Sequence, residues 1–389
     1  MSAGGGEAAE LEAKAPGEFS AAEFAVTVLG SGAAALALAA TAAEAGAPTV
    51  LANRPGARLD RVAAAGCVRL TTPDGVSRHV PLTATSDVLP AVARADLLIV
   101  AVGSAVQAEV LTAVAPALRA DQVVLLVPGH TGGAWCVRAA FLAAGQPVPT
   151  LAEAPLPFVC RDADGGARIL QYKNCVAVGA ADAATARRAH RAASAVGFPV
   201  TSVVSLLESG LRNTTMVVQP ALLLANAARV DRGESFRIYR DGATLAVGRL
   251  IAAVDDERLR VASAYGLQVP GVCEWLRETY GASGQTPDEL IRAVPGYADI
   301  MAPSSVRHRF LDEHVRTGMV PLRALAGVVG IDTPVSAALI ELAGVVTGAD
   351  LLKEGRGLGS MVPQSADSYA SSADTRRVLQ PEVFACPTP

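Results

Sequence analysis

The 389-residue chain predicts an α/β N-terminal domain, doubly wound around a mostly parallel sheet, followed by an all-α C-terminal domain. Three observations carry that reading. Uninterrupted aliphatic runs alternate with helical segments up to residue 204. A glycine-rich turn separates the first run from the first helix. From Leu206 onward the apolar residues recur with helical spacing only.

In chain order, the run 25–29, the turn GSG, an Ala-rich helix and the run PTVLANR form one βαβ unit. ADLLIVAVGS (95–104) and QVVLLVPG (122–129) read as buried parallel strands, with VQAEVLTAVAPALRA as a helix between them. RILQYKN, CVAVGA and FPVTSVV read as further strands of the same sheet, and AATARRAHRAASAVG as a helix. The segments SLLESGLRNTTMVVQPALLLANAARV, GATLAVGRLIAAVDDERLRVASAYG, PGVCEWLRETYG, PDELIRAV, VPLRALAGVVG and PVSAALIELAGVVTG then read as helices. The domain plan is therefore a disordered leader over 1–22, a nucleotide-binding domain over 23–204, a helical domain over 205–361 and a flexible tail over 362–389.

Composition narrows the class. Hydrophobic residues make up 51%, charged residues 18% and aromatic residues 4%, so Ala, Val and Leu must fill the interior. A net charge of −4 offers no footprint for nucleic acid or an anionic membrane, and no apolar run is long enough to span a bilayer. The six cysteines show no CxxC pair and no Cys/His cluster, which argues against a metal site and a secreted disulfide framework. A reducing cytoplasm is the expected setting. The leader has neither a basic start nor an apolar core, so it is not read as a signal peptide.

Gly30, Gly32 and Ala35 form GxGxxA directly after a strand and at the opening of a helix, the frame of a Rossmann dinucleotide site. Gly30 allows the tight turn. Ser31, Gly32 and Ala33 bring free backbone N–H groups to the pyrophosphate, and Ala35 lets helix and strand pack closely. At the end of the second strand stand Asn53 and Arg54 instead of an acidic residue. A guanidinium suits a 2′-phosphate, so NADP(H) is favoured over NAD(H), the alternative being a solvated surface Arg54. Gly103 and Ser104, together with His130 in the PGHTGG loop (128–133), fall at the carboxyl edge of the sheet, where open α/β folds bind ligands.

The chain resembles the octopine/nopaline (opine) dehydrogenase family over roughly residues 24–361, nearly all of its structured length. The likeness is carried in order by EAPLPFVCR (153–161), NTTMVVQPALLLANAAR (213–229), FRIYRDGATLAV (236–247), DDERLRVASAYGL (255–267), the WLRETYG run, RHRFLDEHVRTGMVPL (307–322), DTPVSAALIEL (332–342) and EGRGLGSM (354–361). The resemblance implies an active site between the two domains. It also implies reductive condensation of an amino acid with an α-keto acid through an imine. The family pairs a His before Pro with an Asp in an EDVP-like block. Here Gln219 stands before Pro220 in the first position and His314 follows Glu313 in the second, while the carboxylate-binding Arg is kept as Arg309.

Those substitutions set the expectations for the site. Gln219 orients by hydrogen bonds and cannot transfer a proton, so the acid/base role passes to His314, with His130 as its competitor. Asn213 is expected to hydrogen-bond substrate or nicotinamide, or else to cap a helix, and Pro220 to kink the helix that carries Gln219. The bland alternatives are a surface His314 beside Glu313 and Arg316, and an Arg309 ion-paired with Asp312 or Glu313. Trp275 and Tyr280 read as packing residues, Cys160 as a buried thiol, and the run Asp255, Asp256, Glu257, Arg258 as a solvated helix face. Two other functions stay open: the same fold reducing a different imine or keto substrate, or a non-catalytic nucleotide-binding sensor. The helical half is compatible with a homodimer, though no interface pattern marks one.

Overall fold

The computed structural model describes residues 20–163 and 165–362. The expected leader and tail therefore lie outside the described residues, apart from their inner ends. Where the leader meets the first domain, Ala21–Glu23 form a 3-10 turn with Ala21 buried. Twelve strands form two sheets among these residues: β1 Val26–Leu29, β2 Thr49–Ala52, β3 Cys67–Thr71, β4 Ser77–Pro81, β5 Thr83–Thr85, β6 Leu97–Val100, β7 Val123–Leu126, β8 Thr150–Glu153, β9 Phe158–Ala163, β10 Gly166–Tyr172, β11 Val176–Ala180 and β12 Val200–Ser205.

The larger sheet has the order β12-β11-β8-β7-β6-β1-β2-β5. It is parallel except where β11 runs against β8. Strands β1, β6 and β7 are buried along their whole length, as their uninterrupted Val, Leu and Ile runs require for a sheet covered on both faces.

The smaller sheet, β4-β3-β10-β9, corrects the expectation that the strands after Pro155 extend the main sheet. Only β11 and β12 do so. The chain from β9 turns back as a hairpin into β10, which joins β3 in parallel. Glycine is required at that junction, since a Cβ on Gly166 would lie 2.0 Å from the Arg69 carbonyl oxygen. The second sheet also explains the composition of helix Ala33–Glu44. Packed between two sheets, it buries Ala35 through Ala40 without a break, so it carries small apolar residues on every side instead of one apolar stripe.

From Leu206 the chain is helical among the described residues, the single β contact being a bridge between Arg237 and Met301. The long helix Leu245–Ala264 is central and packs on Thr215–Ala225, Pro287–Ala293 and Pro334–Thr347. Helix Thr215–Ala225 runs through Pro220 as one element. The run from Asp255 to Arg258 is not a solvated face. Asp255, Glu257 and Arg258 are buried, and Asp255 accepts hydrogen bonds from Arg258 (2.6 and 2.8 Å) and from Val272 N (2.6 Å). Glu257 accepts from Val335 N at 2.7 Å and from Ser336 N and Oγ at 2.8 and 2.6 Å. Both carboxylates satisfy the free N–H groups that open neighbouring helices, which is why burial is tolerated.

The last turn, Leu358–Met361, returns to pack on helix Gly133–Ala143 of the first domain. No single helix among the described residues is long and apolar enough to cross a membrane.

Candidate active site

The glycine turn after β1 has the shape a dinucleotide needs. Gly30 adopts φ +134°, and a Cβ there would meet the Ala101 carbonyl oxygen at 2.5 Å and Ala35 Cβ at 3.1 Å. Gly32 is the N-cap of helix Ala33–Glu44 and has open space beside its Cα, where a side chain would otherwise stand near the helix's first N–H groups. These residues fit a pyrophosphate. Beyond β2 a separate recess is lined by Ser31, Asn53, Arg54, Pro55, Gly56, Ala57 and Arg58, with no acidic residue. Asn53 Nδ2 donates to Ser31 Oγ at 2.8 Å, and Arg58 donates to the Ser31 carbonyl at 3.2 Å while pairing with Asp162 at 2.8 Å. Arg54 is exposed at the rim. Arg58 was not anticipated from sequence; its position one turn beyond Arg54, at the start of helix Ala57–Ala65, was the available signal.

A cleft of about 620 Å³ lies between the carboxyl ends of β1, β6 and β7 and the helical domain. It is lined by Gly32, Ala33, Gly103 and His130 from the first domain, and by Asn213, Gln219, Arg309, Glu313 and His314 from the second. Sequence-chosen residues from both domains thus line one cleft.

His314 is 4% exposed, and both of its ring nitrogens lack a hydrogen-bond partner. It is therefore not the surface helix residue that was the alternative. It ends the turn Asp312–His314, which continues through a π-helical segment, Val315–Met319, into Val320–Val328. Such π segments often mark functional sites. The His130 ring meets His314 edge-on with centroids 5.0 Å apart, and His130 holds the left-handed backbone at φ 55°, uncommon for a side chain other than glycine. Burial pushes the His130 pKa down to about 4 against the opposing pull of Glu313. Burial, reinforced by His130, takes His314 well below the ordinary histidine value. Both rings are neutral at pH 7.

Glu313 ties the domains together. Its carboxylate accepts from Ser104 N at 2.8 Å and Ser104 Oγ at 2.9 Å, and lies 4.0 Å from His130 Nε2. Burial opposes its ionisation, but His130 and His314, which become charged only in acid, and the Ser104 donors prevail and hold it at about 2. Ser104 is accordingly buried against Glu313, whereas Gly103 beside it faces the cleft.

Asn213 donates to Thr131 Oγ1 at 3.3 Å and accepts from Thr215 Oγ1, so its amide is engaged in bracing the PGHTGG loop. Gln219 Nε2 donates to Tyr239 Oη at 3.1 Å, which leaves Gln219 Oε1 buried without a donor. Arg309 pairs with neither anticipated acid: Asp312 is taken by Arg316 at 2.8 Å and Glu313 by Ser104. Its guanidinium lines the cleft without a carboxylate partner among the described residues.

Trp275 and Tyr280 pack edge-on at 5.4 Å and also line the cleft. Cys160 is buried, and burial pushes its thiol up to about 11.

Arg356, inside the EGRGLGSM stretch, was missed as a site residue. It is buried, and donates to the carbonyls of Gly129 (2.8 Å), Thr131 (3.1 Å) and Ser104 (2.6 Å), clamping both loops at the sheet's carboxyl edge. Among the described residues, no group of three or more His, Cys, Asp or Glu is placed to hold a metal ion.

Residues 202–347 match the family model described as NAD/NADP octopine/nopaline dehydrogenase, alpha-helical domain, and residues 26–128 match that of ketopantoate reductase PanE/ApbA. An opine dehydrogenase from Arthrobacter sp. (strain 1C) is 34% identical over 276 residues, covering 70% of this chain and 77% of that protein. The chain belongs to the octopine/nopaline dehydrogenase family. It is an NAD(P)-dependent oxidoreductase of the opine dehydrogenase type. Solved structures agree on the fold. An octopine dehydrogenase with NADH and L-arginine superposes with TM-score 0.67 at 21% identity, covering 83% of this chain and 89% of that one. A yersinopine dehydrogenase with NADP+ bound gives 0.67 at 18% identity, covering 91% and 98%. The sheet of the nucleotide-binding domain followed by a helical domain is therefore the family's architecture.

Proposed function

We propose that this family member joins an amino acid to an α-keto acid through an imine and reduces that imine with NADPH in preference to NADH. The observation that carries the reading is His314: a buried, neutral imidazole with two free nitrogens, set in the cleft beside an unpaired Arg309.

A neutral imidazole is the form this condensation needs first. The amino donor arrives as an ammonium ion and cannot attack a carbonyl until it loses a proton. His314 takes that proton, and the Glu313 carboxylate next to it offsets the new charge. The free amine then adds to the keto carbon to give a carbinolamine. His314 returns the proton to the departing hydroxyl, water leaves, and an iminium remains. When bound, the nicotinamide supplies the hydride that converts this carbon to a secondary amine. Arg309 holds a substrate carboxylate as a charge-assisted pair, and Gln219, fixed by Tyr239, offers its amide oxygen to an N–H of the substrate. His130 shares the His314 environment and relays or stabilises the same proton.

The cofactor preference rests on Arg54 and Arg58 lining a recess without an acidic side chain beyond β2. The test is the initial rate of NADPH and NADH oxidation with pyruvate, oxaloacetate or 2-oxoglutarate, each with and without amino acids. Oxidation that requires the amine supports the proposal. Oxidation with keto acid alone, or none at all, overturns it in favour of a keto reductase or a silent binder.

A further inference from the structure

Most charges that line the cleft are accounted for. Arg58 is paired with Asp162, Arg212 with Glu208 at 2.8 Å, and Glu313 is held by Ser104. Three cations remain without a carboxylate among the described residues: Arg309, Arg161 and Lys173. An amino acid and a keto acid bring two α-carboxylates, which Arg309 and Arg161 match in number. Arg161 donates only to the Cys160 carbonyl, at 2.9 Å, and both arginines act electrostatically on Tyr239. Lys173 is left over.

Its position is specific. From Gln219 a wall of rings leads away: Tyr239 stacks on Tyr297 at 4.4 Å, Tyr297 meets Tyr280 at 5.4 Å, and Tyr280 meets Trp275 at 5.4 Å. The Lys173 ammonium sits over the Trp275 ring, 5.9 Å from its centre. It is partly buried, and removal from water pushes its pKa down to about 8. A cation–π contact at this distance offsets only part of that cost. Glu278 lines the same end of the cleft but forms no ion pair with Lys173.

Resting on the proposed condensation and extending it, we propose that Lys173 is a specificity-determining residue that receives a third carboxylate at the Trp275 end of the cleft. The product is then a tricarboxylate. The extra acid enters on an amino diacid or on a keto diacid, and the two sources are separable.

The experiment measures kcat/KM for NADPH oxidation with four pairs: alanine and pyruvate, glutamine and pyruvate, glutamate and pyruvate, and alanine and 2-oxoglutarate. One of the two three-carboxylate pairs is expected to exceed the glutamine pair by at least about tenfold, mainly through KM, as loss of a charge-assisted contact would imply. Lys173→Met is expected to erase that ratio while leaving the glutamine pair within about twofold, since a residue that binds only the extra carboxylate touches no other substrate. Whichever pair responds names the source. Equal rates in the unaltered enzyme, an unchanged ratio in Lys173→Met, or equal loss of all pairs overturns the assignment. Should Lys173→Met fail to fold, Lys173→Gln carries the same reading.

A binding measurement separates this proposal from the catalytic one. Trp275 fluorescence is followed as N-(1-carboxyethyl)glutamate or N-(1-carboxyethyl)glutamine is added to the enzyme with NADP+. Tighter binding of the tricarboxylate that Lys173→Met removes supports the site even if no pair turns over. Equal binding of the two ligands, alongside amine-dependent turnover, rejects the site and leaves the condensation standing.

Discussion

At the scale of single residues, the proposed chemistry turns on which group transfers the proton. The sequence resemblance implies a His before Pro220 and an acid after Glu313, and this chain holds Gln219 and His314 there. In the proposed mechanism His314, whose ring nitrogens are unpaired, handles the proton, so His314→Ala is expected to lower kcat by about a hundredfold or more, the usual worth of a positioned acid/base, with a small change in KM. Steady-state rates check this. Full activity in the variant moves the role to His130 or to solvent. Arg54→Asp is expected to shift the preference from NADPH toward NADH by at least about tenfold, through loss of a phosphate partner and repulsion of the phosphate by the new carboxylate. An unaltered ratio of kcat/KM for the two cofactors leaves the task to Arg58.

At the scale of elements, what the sequence disclosed depended on whether a signal was local. The glycine turn is local: Gly30, Gly32 and Ala35 name their roles from spacing alone, and the structure puts Gly30 against Ala101 as that turn requires. The helical run after Leu206 is equally local, because its period repeats within each segment. The four-stranded sheet was illegible for the opposite reason. β3 and β10 are neighbours only through a long-range parallel pairing, and nothing in either strand's alternation names its partner. Burial of charge was misread for the same cause, since Asp255, Glu257 and Arg258 look like a solvated turn of helix until the N-termini that the two carboxylates cap, and the carbonyls to which Arg258 donates, are brought beside them. That network makes a prediction at this scale. Asp255→Ala leaves Arg258 buried without its acid and Val272 N without an acceptor, and is expected to destabilise the protein by roughly 3–5 kcal/mol, as for other broken buried pairs. Chemical denaturation of the purified variant measures it. A loss below about 1 kcal/mol, the range of exposed pairs, would mean that solvent relieves the pair.

At the scale of the whole molecule, closing two domains over one cleft buries titratable groups in the form that suits the chemistry, and this couples stability to pH. His130 at about 4, His308 at about 4 and His314 well below its ordinary value bind protons less readily when folded than in the unfolded chain near 6.5. Between pH 4.5 and 6.5 the unfolded state therefore holds protons that the folded state does not, and stability rises with pH across that window. Glu153 acts in the other direction. Burial lifts its carboxyl to about 7, so the folded state keeps a proton that the unfolded chain has lost above 4.5. Three histidines outweigh one carboxyl, and the melting temperature is expected to be higher at pH 6.5 than at pH 5, with His130→Asn reducing the difference. Below pH 4.5, Glu313 at about 2 adds to the loss, because its stabilising charge disappears as acid protonates it. A melting temperature that is flat or falls from pH 5 to 6.5 would show that the cleft admits water around these rings. The neutral His314 on which the proposed proton transfer depends would then lose its physical basis.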